Sequence, residues 1–348
     1  MKIALLLSGG VDSSVALSLL KEQGHDVTAF YLKIWLEDEL AFLGDCPWEQ
    51  DLSYARAVCE QLDIPLKIVP LQKEYKEKII SYTIDQVKKG LTPNPDMLCN
   101  TFIKFGAFYD AVGKEFDKIA TGHYADITEQ DGVYYLKQTP DIIKDQTYFL
   151  ARLTQEQLSR VVFPLGKYDK SQVREFAQKF DLPNKERKDS QGLCFLGKIS
   201  FKDFVKAHAG TRKGDFVVFE TGKKIAEHEG FWFYTLGQRQ GIGLSHGPWY
   251  VVKKDPNTNT VYISNQYFDD TKKRDTFYLT DCIWNNKLVT GTTQVKLRHG
   301  KQMHTAMVTH QDGTVKVVLD KQDQGIAPGQ FAVFYENGFC VGSGVIKE

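Results

Sequence analysis

The chain runs to 348 residues, too long for one typical domain, so two or three are expected. Its composition, 42% hydrophobic and 25% charged, is that of an ordinary soluble globular protein, and no apolar stretch reaches membrane-spanning length. Forty-four basic residues balance forty-four acidic ones, so net charge carries no sign of a nucleic-acid partner and only a local basic face could serve one.

The first half alternates strands and helices. "KIALLL" is a continuous apolar run, as a strand buried on both faces should be. Glycine and then Asp12 interrupt it before a signal-peptide core of usual length can form, so a cytoplasmic location is expected. "SGGVDSS" (8–14) follows, and "VALSLLKEQG" predicts a helix with glycine at its C-terminal end. "DVTAFYLKIW" is the next strand, and "DLSYARAVCEQLDI" a helix with Leu52, Ala55, Val58, Cys59 and Leu62 on one face. "LKIVPL" gives a third strand and "YKEKIISYTIDQVKKG" another helix. "LTPNPDMLCN" (91–100) leads into a helix from about Asp96, with Leu98, Phe102, Phe105, Tyr109, Val112 and Phe116 at helical spacing. "KIATGH" (118–123) is a strand running into a Gly-His turn. This alternation predicts an α/β domain with a doubly wound parallel sheet.

After about residue 200 the pattern changes. "GDFVVFETGKKIAEHEG" predicts a hairpin turning at Thr221-Gly222, and "PWYVVKKDPNTNTVYIS" two strands around an Asp-Pro-Asn turn. From "DTFYLTDCIW" onward, short strand patterns arrive at close intervals with turn residues between them, which predicts a small antiparallel barrel. There is no internal repeat and no low-complexity linker.

Three features carry chemistry. "SGGVDSS" lies between a buried strand and a helix start, where glycines let the backbone approach an anion, Ser8, Ser13 and Ser14 add hydroxyls, and the helix end adds N–H groups and positive dipole. It lacks the Gly-Lys-Ser/Thr of a Walker loop, which disfavours γ-phosphate transfer. The six cysteines (46, 59, 99, 194, 282, 340) are too scattered for a disulfide framework and make no CxxC pair, so zinc is not expected and any disulfide would be transient and catalytic. Cys99 is either a small buried hydrophobe or a working thiol in a first helical turn, where the dipole favours thiolate; Asp96 is placed to cap that helix and to move protons. Cys194, in "KERKDSQGLCFLG" (185–197), has Lys185, Arg187 and Lys188 before it and glycines around it, the setting of a reactive thiol or of an ordinary loop cysteine beside solvated charge.

"SGGVDSS" resembles the pyrophosphate loop of the ATP pyrophosphatase superfamily, whose members adenylate a carbonyl oxygen. With "TPNPDMLCN", "ATGHY", "KDQTYFL", "KDSQGLCFLG", "TLGQRQGIG" and "PGQFAVFY", in that order over nearly the whole chain, the sequence is similar to the tRNA-specific 2-thiouridylase family. The resemblance implies an ATP-pyrophosphatase (adenine nucleotide alpha hydrolase-like) catalytic domain at 1–199, a small central domain at 200–275 and a C-terminal tRNA-contacting β-barrel at 276–348. It implies replacement of O2 of a wobble uridine by sulfur, with AMP as the leaving group, pyrophosphate released, and ATP as a substrate.

By the same resemblance Cys194 carries a persulfide, Cys99 is the nucleophile and Asp96 the acid/base group, and a transient Cys99–Cys194 disulfide follows that must be reduced. Leu6, Leu7, Ser8, Gly9, Gly10, Val11, Asp12 and Ser13 would cradle ATP, with Leu32 and Gly122 beside it and Mg²⁺ near Asp12; Asp12 could equally cap its helix, and Leu32 could be simple core. Asn94, Pro95 and Asp96 would meet the target base. His123, Lys144, Asp145, Gln146, Arg298, His299 and Gln330 would contact tRNA. The basic run "KLRHGKQMH" (296–304) fits phosphate contacts or a solvated strand edge. A cysteine desulfurase or a sulfur-relay protein would load Cys194. The chain departs from the family at Ile34, Gln191 and His299, where asparagine, threonine and tyrosine are frequent. Two rivals share the scaffold: an amide-forming ligase, which needs neither cysteine, and a catalytically silent RNA-binding protein.

Overall fold

A computed structural model describes residues 1–34, 48–189, 200–266, 274–311, 313–323 and 325–347. The apolar run at the start forms β1 (Lys2–Leu6), buried beyond its first residue. It pairs in parallel with β2 (Asp26–Lys33), β2 with β3 (Leu66–Pro70), β1 with β4 (Lys118–Thr121), and β4 with the short β7 (Val161–Val162). The order β3-β2-β1-β4-β7 reverses direction at β1. A crevice therefore opens where the loops after β1 and β4 diverge, the place where open α/β sheets bind ligands.

Helix α1 (Val11–Glu22) follows β1, and nine of its twelve residues are buried. Helix α2 (Trp48–Gln61) buries Leu52, Ala55, Val58 and Cys59, the face its spacing predicts. A helical stretch, α3 (72–88), precedes the Pro-Asn-Pro segment. Helix α4 (95–111) differs from the expected regular helix: an α-helical turn, Pro95–Cys99, gives way to a π-helical stretch, Asn100–Ala107, before Phe108–Ala111. Each π-turn holds more residues than an α-turn, so the apolar stripe shifts phase. Phe102, expected inside, is 43% exposed, whereas Ile103 is fully buried. Asp96 is not the cap either: Asn94 Oδ1 accepts from Met97 N at 3.2 Å, with Pro95 as the first helical residue.

The later units are antiparallel for the most part. β8 (Gly214–Val218) and β9 (Lys224–His228) form the expected hairpin, β10 (Tyr250–Asp255) and β11 (Thr260–Ser264) another, and a parallel β8–β11 pairing joins them into one four-stranded sheet. Six strands, β12 (Thr276–Trp284), β13 (Gly291–Lys296), β14 (His304–Gln311), β15 (Thr314–Leu319), β16 (Phe331–Glu336) and β17 (Phe339–Lys347), close into a barrel through β12–β17 pairing. The hairpin β5 (Asp126–Gln130) and β6 (Val133–Lys137), from the first half of the chain, extends this sheet through Phe339↔Lys137 and Cys340↔Leu136. One buried cluster accordingly runs from Leu6 and Met97 through Tyr148 to Phe331 and Tyr335.

Candidate functional site: the crevice between β1 and β4

The loop after β1 is shaped by two close approaches. Gly9 has φ +76°, and a Cβ there would lie 2.2 Å from the backbone oxygen of Asp51. Gly122, after β4, lies so close to the start of α1 that a Cβ would fall 2.6 Å from Ser13 N and 2.8 Å from the carbonyl carbon of Asp12. Neither position accepts a side chain without moving the loop. Gly10 precedes α1 with no side-chain cap, so Asp12, second in the helix, is not its N-cap. The first N–H groups of α1 are therefore left for a bound anion. Of the three expected hydroxyls, those of Ser13 and Ser14 donate to Gly10 O at 3.0 Å, and Ser13 is also 3.2 Å from Ser8 Oγ; Ser8 alone is exposed. The serines shape the loop more than they line it.

Asp12 is held by distant residues. Its Oδ1 accepts from Tyr124 OH at 3.0 Å and from Lys170 Nζ at 2.6 Å. Lys170, the first residue of α5 (Lys170–Lys179), also pairs with Asp189 at 2.8 Å, and Asp189 takes Arg174 at 2.6 Å and Lys144 at 2.7 Å. Burial would raise the Asp189 pKa, but hydrogen bonds and charge from Lys144 and Lys170 outweigh it and hold it at about 2. Burial, and then the Asp12 charge, push the Tyr124 phenol up, so it stays a donor. The loop's outer side is gripped by Asn184, whose Nδ2 donates to Gly9 O at 2.8 Å and Ser14 Oγ at 2.9 Å, and by Arg187, which donates to Gly9 O at 3.0 Å and pairs with Asp51. Lys185, for its part, pairs with Asp181. None of these partners lies near "SGGVDSS" in sequence, which is why a motif reading misses them.

Cys99 is 1% exposed and is the fifth residue of α4, beyond the first turn where the helix dipole acts most strongly. It packs in the same cluster as Leu6 and Met97, with Leu32 against that cluster's edge. From 93 to 101 every residue is buried except Asp96, which is half-buried. The Asn94-Pro95-Asp96 run therefore offers one polar side chain outward. Cys194, and with it the expected disulfide, falls in residues 190–199, outside the described residues, as does Gln191.

Three family models match in succession: a tRNA methyl transferase HUP domain over residues 1–198, a tRNA methyl transferase PRC-barrel domain over 202–265 and an aminomethyltransferase β-barrel domain over 274–346. Over its full length the chain is similar to tRNA-specific 2-thiouridylase MnmA 1 of Bacteroides thetaiotaomicron, 46% identical over 355 residues, and to tRNA-specific 2-thiouridylase MnmA of Parabacteroides distasonis, 44% identical over 354 residues; each match covers 99% of both chains. The chain belongs to the tRNA-specific 2-thiouridylase family. Among solved structures, a 4-thiouridine synthetase–RNA complex with bound ATP overlaps 60% of this chain and 50% of that one at 18% identity and a TM-score of 0.34, too low to carry any argument.

For a member of the 2-thiouridylase family, the residues expected to meet tRNA fall into two groups. Arg298 and His299 are exposed on the barrel; Arg298 makes a bidentate pair with Asp323 (3.0 and 2.8 Å), and His299 stacks on Phe149 at 4.8 Å. Arg298 and Gln330 line a cleft of about 380 Å³ against Thr235–Gln238 of the central sheet unit, which is part of the "TLGQRQGIG" motif. The second group is tied into the fold by buried or half-buried contacts. Asp145 is 1% exposed and pairs with Lys296, itself fully buried, at 3.0 Å, while Gln146 Oε1 accepts from Tyr124 N at 2.9 Å. His304 is held by Asp323 at 2.9 Å. His123 Nδ1 is 2.7 Å from Thr121 Oγ1, and its pKa lies well below 6.5, through burial first and then the Lys104 charge. Much of the basic run at 296–304 thus serves the fold, leaving Arg298, His299 and Lys301 outward.

Proposed function

We propose that this protein uses ATP to replace O2 of the wobble uridine of tRNA with sulfur, giving 2-thiouridine, AMP and pyrophosphate. The observation that carries the reading is full-length identity of 43–46% to tRNA-specific 2-thiouridylases. The crevice supports it: uncapped N–H groups of α1 suit the ATP phosphates, and Gly122 closes on the start of that helix; Leu32 would meet the adenine. A uracil carbonyl is a poor electrophile, and adenylation at O2 turns its oxygen into a good leaving group and opens C2 to attack. Asp96, the half-buried group of its segment, moves the proton, with Asn94 and Pro95 fixing the base.

Sulfur reaches C2 from a persulfide on Cys194, supplied by a cysteine desulfurase or a relay protein. In one route the Cys99 thiolate attacks the inner persulfide sulfur, releases hydrosulfide that displaces AMP, and leaves a Cys99–Cys194 disulfide. In the other the outer persulfide sulfur displaces AMP first, and Cys99 then frees the thiolated base with the same disulfide. Either way an external thiol restores both cysteines. Mg²⁺ accompanying ATP is held by one or two carboxylates and the substrate phosphates; Asp12, at the start of α1, would supply the carboxylate, and the ion would neutralise phosphate charge. No helix among the described residues is long and apolar enough to cross a membrane, and a cytoplasmic site of action agrees with a tRNA substrate. The division into catalytic (1–199), central (200–275) and barrel (276–348) units is part of this reading.

Mass spectrometry of tRNA nucleosides after incubation with Mg·ATP and a sulfide or persulfide source is the test. The parent protein yields 2-thiouridine, and Cys99→Ala yields none through the persulfide route. Absence of 2-thiouridine from folded parent protein refutes the proposal. Adenylation that proceeds to an amide, unaffected by Cys99→Ala, points instead to a ligase on this scaffold.

A further inference from the structure

The segment that leads into Asp96 and Cys99 is held by both later units of the chain. On the barrel side, Thr92 N donates to Pro328 O at 2.8 Å. The next residue, Gly329, has φ +90°, and a Cβ on it would lie 3.0 Å from Leu91 Cβ, Thr92 N and Thr92 O. On the central-sheet side, Gly90 has φ +81°, and a Cβ there would meet Pro256 Cγ at 2.7 Å and Phe231 at 3.6 Å. Gly329 thus lets its backbone pass close to that of Thr92, and Gly90 leaves room for the Pro256 ring.

A second tie lies just past the segment. Tyr148, 1% exposed, donates its hydroxyl to Phe331 O at 3.0 Å, and the same phenol is hydrogen-bonded to the Asn94 side chain. Asn94 in turn caps α4 through Met97 N. The barrel therefore grips the Thr92–Asn94 run from one side at Pro328-Gly329 and from the other at Phe331. Gln330, in the cleft with Arg298, sits between these two grips in sequence.

We propose that Gly329 and Tyr148 are positioning residues: the barrel sets the backbone of 91–96, and so the placement of Asp96 and Cys99, in addition to any contact it makes with RNA. A methyl on Gly329 displaces Thr92 by a few tenths of an ångström, and errors of that order at a reacting group are costly, ~10²-fold for 1 Å. The catalytic part of the test rests on the thiolation reading, whereas the labelling part does not.

Gly329→Ala is compared with the parent full-length protein in two ways. Alkylation of Cys99 by iodoacetamide is followed by mass spectrometry against Cys59, 4% exposed in the opposite core, as internal reference. The single-turnover rate of 2-thiouridine formation is measured at saturating tRNA and ATP. The expected result is a Cys99/Cys59 labelling ratio raised roughly tenfold by local opening, a saturating rate lowered about tenfold, and tRNA affinity close to that of the parent. An unchanged labelling ratio overturns the inference, and so does a rate that saturating tRNA restores. Should Gly329→Ala not fold, Tyr148→Phe, which keeps the ring and removes the hydroxyl, is judged by the same two criteria. If the parent makes no 2-thiouridine the functional proposal fails, while the labelling ratio still decides the coupling.

Discussion

His123 shows how burial beside a candidate site can set the charge state of a single ring. "KIATGH" puts it after β4 at the mouth of the crevice, where it lies near Phe105 and Phe163, with ring centroids 6.5 and 6.0 Å away. Burial and the Lys104 charge keep its ring neutral. In the unfolded chain the same ring takes a proton near its ordinary value of 6.5, so below that pH the unfolded state binds more protons. Stability therefore falls as pH drops through that value. Melting curves taken from about pH 7.5 to about pH 5.5 should show a shallower loss for His123→Gln than for the parent. An equal slope would mean that this ring titrates normally in the fold. Asp12 teaches the complementary point: its motif was visible in sequence, but Tyr124 and Lys170, which hold its carboxylate, and Asp189, which holds Lys170, come from remote segments that no local pattern joins.

Strands and helices were largely legible, because burial on one face or two leaves a period in the sequence that survives tertiary context. β1, β2 and β4 and the apolar face of α2 follow that rule, whereas β3, at the sheet edge, buries only Val69 and leaves Ile68 exposed. Helix α4 breaks it. Its π-helical stretch depends on Gly106, whose Cβ position lies 2.9 Å from Thr101 O, and on Gln157, whose Nε2 donates to Thr101 O at 2.9 Å and Phe105 O at 3.1 Å. Those carbonyls are satisfied by a side chain from another helix, and a regular 3.6-residue pattern cannot report such an arrangement. Gln157→Ala should leave them without that donor and cost about 1–3 kcal/mol. Chemical denaturation measures the cost, and Phe102 should lose its outward position if the stretch relaxes to an α-helix, which tryptophan fluorescence of Phe102→Trp variants would report.

At the scale of the molecule, the sequence signalled three units but not how firmly they are joined. The Lys296–Asp145 pair illustrates why: "KLRHGKQMH" and "KDQ" each look like solvent-facing basic or loop segments, and only their meeting inside the fold makes them a buried ion pair. Asp145 also accepts from Thr147 Oγ1 at 2.9 Å, and Thr147 lies 3.0 Å from Tyr335 OH of the barrel. Lys296→Met leaves a buried carboxylate without its cation and should cost about 3–5 kcal/mol, whereas pairing it with Asp145→Leu should recover most of the loss. Urea titration of the two variants separates these outcomes; equal stability of both would show that the pair is not desolvated as described.

The strand pairing between β6 and β17 bears on how the protein is made as well as on how it stands. A ribosome delivers β6 long before β17, and Ser343, which donates to Ala151 O, is 192 residues further along. Throughout that interval the newly emerged first half carries an uncovered strand edge and part of a core that Phe331, Val333 and Tyr335 will later fill. Exposed edges of this kind recruit other chains, and N-terminal units tend to fold as they emerge. Messages truncated before β17 should therefore yield sticky, aggregation-prone fragments, because the polypeptide's last strand is what finishes its first half.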